Sequence, residues 1–87
     1  MKRCFVCGAE SNLHKHEIFF GSSNRKNSIE HGLVVALCGY HHNQSEKGVH
    51  GRDGHELDVQ LKQLAQKKFE ETHTRDEFLK IFGKSYL

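Results

Sequence analysis

An α+β fold is predicted for this chain: a β-hairpin with a short helix after it, followed by two C-terminal helices. Three observations predict it. A Cys-x2-Cys pair, Cys4 and Cys7, is matched by a Cys-x2-His pair, Cys38 and His41. Between the pairs lie two short apolar runs, LHKHEIFF and LVVALC. Beyond Gly54 the apolar residues recur every three or four positions, the period of a half-buried helix.

Residues 1–12 hold Cys-x2-Cys followed at once by Gly8, the pattern of a tight metal knuckle. Leu13 to Phe20 ends in the apolar and aromatic residues of a strand. Gly21 to His31 is rich in Gly, Ser and Asn and reads as a loop with room for a short helical turn. Leu33 to Cys38 is a β-branched apolar run, expected as a buried strand. In the histidine-rich stretch after it, broken by Gly39, Gly48 and Gly51, a helix of two turns at most fits between His41 and Lys47. From Gly54 to about Thr72, Leu57, Leu61, Leu64, Ala65 and Phe69 form the apolar stripe of a helix. Asp53 is its expected N-cap, and Lys62, Gln63, Lys67 and Glu70 belong to its wet side. Thr74-x-x-Glu77 reads as a capping box opening a last helix through Phe78, Leu79 and Phe82, closed by Gly83. The 87 residues make one domain, divided into a knuckle-and-hairpin segment, 1–52, and a helical extension, 53–87.

Composition narrows the chemistry. Apolar residues are 36% of the chain, thin for a domain of this size, and small domains in that position add disulfides, a metal or a partner. Three cysteines cannot all pair with one another, and eight histidines accompany them, which points to metal. MKRCFVCGAE lacks an apolar leader core and no apolar run approaches a membrane span, so a cytoplasmic protein is expected. The net charge of +2 decides nothing about nucleic acid. Lys2, Arg3, Lys15, Arg25 and Lys26 do load the first part of the chain and can form a modest phosphate-binding patch.

Two half-sites, each offering two soft or borderline ligands on a turn, suit a tetrahedral structural zinc on Cys4, Cys7, Cys38 and His41. His41 is preferred to His42 because it keeps the x2 spacing. The alternative, a redox pair of Cys4 and Cys7, lacks the βαβ context of such motifs. If the knuckles share one ion, the hairpin brings His16, Glu17 and His42 towards one point, with His50 a further member should residues 43–49 fold back. Imidazoles and a carboxylate converging there can hold a second, exchangeable divalent ion and activate water.

CFVCG, HEIFFGSSNR and GLVVALCGYHHN together resemble the HNH nucleases of the ββα-metal fold, in a form common in bacteriophage and prophage genomes. The resemblance spans roughly residues 4–50. It implies structural zinc on Cys4, Cys7, Cys38 and His41, and metal ligation by His16 and by His42, which opens the helix. Two positions depart from the family. Its usual strand-one base histidine is Glu17 here, a weaker base near neutral pH than an imidazole. That leaves the roles of base and ligand open between Glu17 and His16, with His14 a third base candidate on the face of His16. The asparagine that orients the base is replaced by Gly32, and Asn24, or else Asn27, is the nearest substitute.

The resemblance implies a metal-dependent DNA endonuclease. Glu17, His16, His42 and Asn24 would be its catalytic residues and His16, Glu17, His42 and His50 its metal ligands. Arg25 and Lys26 would lie on DNA phosphates, and Mg2+, Mn2+, Ni2+ or Zn2+ would be the working ion. Its partners would be DNA and, beside it, a larger phage or host DNA-processing protein. The alternative on the same fold is a zinc-stabilised module that binds nucleic acid or protein without catalysis.

Overall fold

The computed structural model describes residues 3–21 and 23–87, so the expectations placed on Lys2 and on Ser22 lie outside the described residues. In chain order the elements are β1 (Leu13–Glu17), α1 (Asn24–Glu30), β2 (Val34–Cys38), α2 (Gly39–His42), α3 (His55–Phe69) and α4 (Arg75–Phe82). The strands form an antiparallel pair with His14 opposite Leu37 and His16 opposite Val35. No helix among the described residues is long and apolar enough to cross a membrane.

The first strand stops at Glu17, short of Phe20, because the chain turns there to bury Ile18 and Phe19 in the core. Phe19 packs on Phe82 and Phe78 at ring-centroid distances of 4.5 and 5.3 Å, and Phe69 closes on Phe78 at 5.5 Å. Offset and edge-on aromatic contacts at these distances are favourable beyond their buried area. This aromatic core joins the end of the hairpin to α3 and α4.

The segment expected as a loop with room for a short helical turn carries a seven-residue helix, α1. Composition concealed it because its stabilisation is tertiary. The hydroxyl of buried Ser28 donates to the Phe19 carbonyl at 2.7 Å and accepts from the Phe19 N–H at 3.0 Å. Asn24 and Asn27 donate through Nδ2 to the carbonyls of Phe82 and Ile81, both at 3.2 Å. Those carbonyls lie in the last turn of α4, where no intrahelical N–H is available. Gly32 then turns the chain at φ +70°, a conformation glycine adopts without strain.

Helix α2 begins at Gly39, two residues earlier than expected, and lasts a single turn. The N-cap of α3 is Gly54 rather than Asp53. A Cβ at Gly54 would meet the Gly48 carbonyl, so this cap admits no side chain. The capping box of α4 is formed in both directions between Thr74 and Glu77, and Gly83 ends the helix in the left-handed conformation. The apolar stripe of α3 is buried as expected at Leu61, Ala65 and Phe69, with Leu57 packed against the core, and departs from expectation at its flanks. Leu64 is 52% exposed, Gln66 is fully buried, and Lys62 is drawn inward.

Candidate metal centres

Two clusters of ligand-type side chains stand at the two knuckles and the adjoining cleft. The first joins Cys4, Cys7, Cys38 and His41, whose ligand atoms all lie within 4.8 Å of one another. The N-terminal knuckle is closed by Cys4 N–H to the Ala9 carbonyl and Gly8 N–H to the Cys4 carbonyl. It is tied to β2 by Phe5 N–H donating to the Ala36 carbonyl at 2.8 Å. Cys38 ends β2 and His41 follows one turn later in α2.

The spacings fit a tetrahedral ion. Cys7 Sγ and Cys38 Sγ are 3.8 Å apart, and His41 Nδ1 lies 3.3 Å from Cys38 Sγ and 3.9 Å from Cys4 Sγ. Tetrahedral thiolate and imidazole ligation gives edges of about 3.8 Å for S···S and about 3.6 Å for S···N. All three cysteines are free thiols. Burial raises the Cys4 thiol, but the backbone N–H groups of Cys38, Cys7 and Val6 together outweigh it and bring the group down to about 6. A thiol so placed is largely thiolate at neutral pH, the form that binds metal.

The second cluster is His16, His42 and His50, again with ligand atoms within 4.8 Å. His16 comes from β1, and His42 is the last residue of α2. His50 reaches them because the loop after α2 folds back, with Val49 N–H on the His41 carbonyl at 2.9 Å and His50 N–H on the His42 carbonyl at 3.1 Å. Glycines permit that return: a Cβ at Gly48 would stand 2.6 Å from the His42 carbonyl oxygen, and one at Gly51 2.5 Å from that of Ser45.

His16 is 2% exposed and its Nε2 has no hydrogen-bond partner among the described residues. A buried polar atom without a partner is costly in a folded chain, and an ion shared with His42 and His50 would satisfy it. Burial pushes the His16 imidazole down to about 3, with the His42, His50, Lys62 and Arg25 charges acting in the same direction. Burial also lowers His42, helped by His50 and His14 and opposed by Glu17. Both rings are therefore neutral at pH 7, as ligation requires.

The tautomer of His42 follows from its neighbours. Asn12 donates through Nδ2 to Gln44 at 2.8 Å and presents Oδ1 to His14 Nε2 at 3.3 Å. His14 Nε2 therefore donates, which makes its Nδ1, 2.9 Å from His42 Nδ1, the acceptor. With Nδ1 of His42 as donor, its Nε2 lone pair is free for a metal. A carboxylate, carbonyl or other acceptor behind a ligating imidazole is the usual supporting arrangement of metal sites.

These histidines open onto a cleft of about 460 Å³ lined by Lys15, His16, Glu17, Phe20, Arg25, His42, Asn43 and His50. Glu17 lies on the cleft wall outside the ligand cluster. Its Oε1 is 3.3 Å from Arg25 Nε. Asn24, expected beside the base, instead holds the end of α4, and Lys26 is exposed and away from the cleft lining. His31 and His73 stand away from the cleft and pack on Phe69 at 5.3 and 4.2 Å. Asn12, Phe20 and Asn43 are site residues that sequence patterns did not single out. For Asn12 the available signal was an asparagine just before a strand, a residue that tolerates the left-handed backbone seen there at φ 53°.

Compared with models of protein families, with curated proteins and with solved structures, the chain matches none.

Proposed function

We propose that this chain is a metal-dependent DNA endonuclease of the HNH, ββα-metal type, with a structural zinc on Cys4, Cys7, Cys38 and His41. The observation that carries the reading is the buried imidazole of His16, its Nε2 without a partner among the described residues, grouped with His42 and His50 and separate from a complete Cys3His set. Three imidazoles with a water-accessible side suit a catalytic ion, whereas a full set of four protein ligands suits a structural one.

The side chains at the cleft divide the work as follows. His16, His42 and His50 hold a divalent ion, which supplies Lewis-acid stabilisation of the phosphoryl and leaving oxygens. His14 fixes the tautomer of His42. Glu17 is the acceptor on the cleft wall for the proton of an attacking water, because His16 is committed as ligand and His14 is engaged with His42 and Asn12. Arg25 contacts Glu17 through Nε, which leaves its Nη groups for a phosphate oxygen. Lys15, exposed on the same wall, adds a second cation for the DNA backbone. An all-imidazole set of this kind suits Ni2+ or Zn2+, whereas Mg2+ and Mn2+ favour oxygen ligands.

Purified zinc-bound protein should nick or cut supercoiled plasmid only when one of these ions is added. A second reading, a binding module without catalysis, draws on Glu17 being paired with Arg25 and on Asn24 being turned to α4. Plasmid retarded in a gel but uncut with all four ions would favour it.

A further inference from the structure

Helix α3 reaches the histidine cleft through one side chain. Lys62 Nζ stands over the Phe20 ring, 4.2 Å from its centroid, and 5.3 Å from that of Tyr86. It is anchored by Asp58 Oδ2 at 2.9 Å, and both side chains are only 12% exposed. Phe20 in turn packs edge-on against His50 at 4.8 Å and lies 6.0 Å from His16.

A sequestered Asp–Lys pair adds little stability, because stripping water from two charges offsets much of their attraction. Asp58 Oδ1 is moreover without a partner among the described residues. What the pair accomplishes is to fix a cation over one aromatic face. The imidazole of His50 is exposed and makes no side-chain hydrogen bond among the described residues. Its ring packs on aromatic neighbours, of which Phe20 is the nearest among the described residues.

We infer that Lys62, acting through Phe20, is a positioning residue for His50, so that the helical extension sets the metal affinity of the cleft. The inference rests on His16, His42 and His50 holding an ion. Positioning and charge make opposite predictions: a lysine cation acting by charge alone repels a divalent ion, so its removal would tighten binding.

The test is a Co2+ titration of the zinc-bound protein, followed by visible absorption, on wild type, Lys62→Met, Phe20→Leu and the double variant. Lys62→Met should weaken Co2+ binding about three- to tenfold, the range of a partly desolvated cation–π contact. Phe20→Leu should weaken it at least as much, and the double variant no more than Phe20→Leu alone, because both act through one contact. Lys62→Arg, which keeps a cation over the ring, should restore most of the affinity. Unchanged or tighter Co2+ binding by Lys62→Met, or fully additive losses in the double variant, would overturn the inference. Wild type taking up no Co2+ beyond the knuckle site would remove the metal reading itself and the inference with it. Should Lys62→Met lose its thermal transition, Lys62→Gln, which keeps a donor for Asp58, takes its place in the same cycle.

Discussion

His14 Nδ1 lies 2.9 Å from His42 Nδ1, and the contact leaves the other nitrogen of His42, a residue grouped with His16 and His50, free of that hydrogen bond. In the proposed cleft metal centre, His14 is therefore a support rather than a member of the shell. Replacing His14 with Phe removes the acceptor and should weaken cleft metal about 10- to 100-fold, as loss of outer-shell partners does. The knuckle metal should be unaffected. Isothermal titration with Ni2+ on zinc-bound protein reads the difference, and unchanged Ni2+ affinity would show that His42 orients itself.

The knuckle cluster makes a different prediction. Cys38 ends β2 and sits within 3.8 Å of Cys7 Sγ and 3.3 Å of His41 Nδ1, so its loss breaks both halves of the set at once. Cys38→Ser should lose the bound zinc and the folded state together, because metal binding and folding are linked in domains this small. Elemental analysis and circular dichroism check it. Full zinc content with an unchanged melting transition would defeat the assignment.

Protonation of His16 supplies a pH test. Its folded-state value of about 3 lies below the ordinary 6.5, so between those values the unfolded chain binds a proton that the folded chain excludes. The stabilising contribution is complete above about pH 6.5 and is lost as pH falls, at about 1.4 kcal/mol per pH unit for this one group. Denaturant midpoints of the zinc-bound protein should therefore drop between about pH 7 and about pH 5.5. His16→Phe should show a shallower drop. Equal slopes in the two proteins would mean that His16 titrates normally.

The hairpin, the last two helices and both ligand pairs were legible in the sequence because their signals are local: x2 spacings, a β-branched run and a capping box. Helix α1 was not, since Ser28, Asn24 and Asn27 find their partners on Phe19, Phe82 and Ile81, far along the chain. Asn24 shows the cost of this: an asparagine expected beside the base spends its amide on the end of α4. Lys62 was placed on the wet side of α3 by periodicity, but Asp58 and Phe20 draw it inward. His50 was legible only as a conditional, because its approach depends on a loop whose return is set by backbone bonds to His41 and His42.

Glu17 carries the least conventional assignment. Glu17→Gln keeps the size of the side chain but cannot accept a proton, and cleavage should fall by about two to four orders of magnitude if Glu17 is the base. If the carboxylate acts instead by assisting metal binding, a higher divalent concentration should restore part of the rate. Glu17→His places an imidazole where the carboxylate stood and should retain cleavage, with a pH optimum that follows the imidazole. Activity present only in Glu17→His would identify the natural chain as a non-catalytic binding module.

The most direct test compares wild type and His42→Ala, each purified with one zinc per chain, on supercoiled plasmid with and without added Mg2+, Mn2+ or Ni2+. The proposal predicts that wild type converts plasmid to nicked or linear DNA only with added ion. It predicts that His42→Ala keeps its zinc and its thermal transition but leaves the plasmid intact. Cleavage by His42→Ala at the wild-type rate, or loss of its zinc and fold, would contradict a separate catalytic metal centre at His16, His42 and His50.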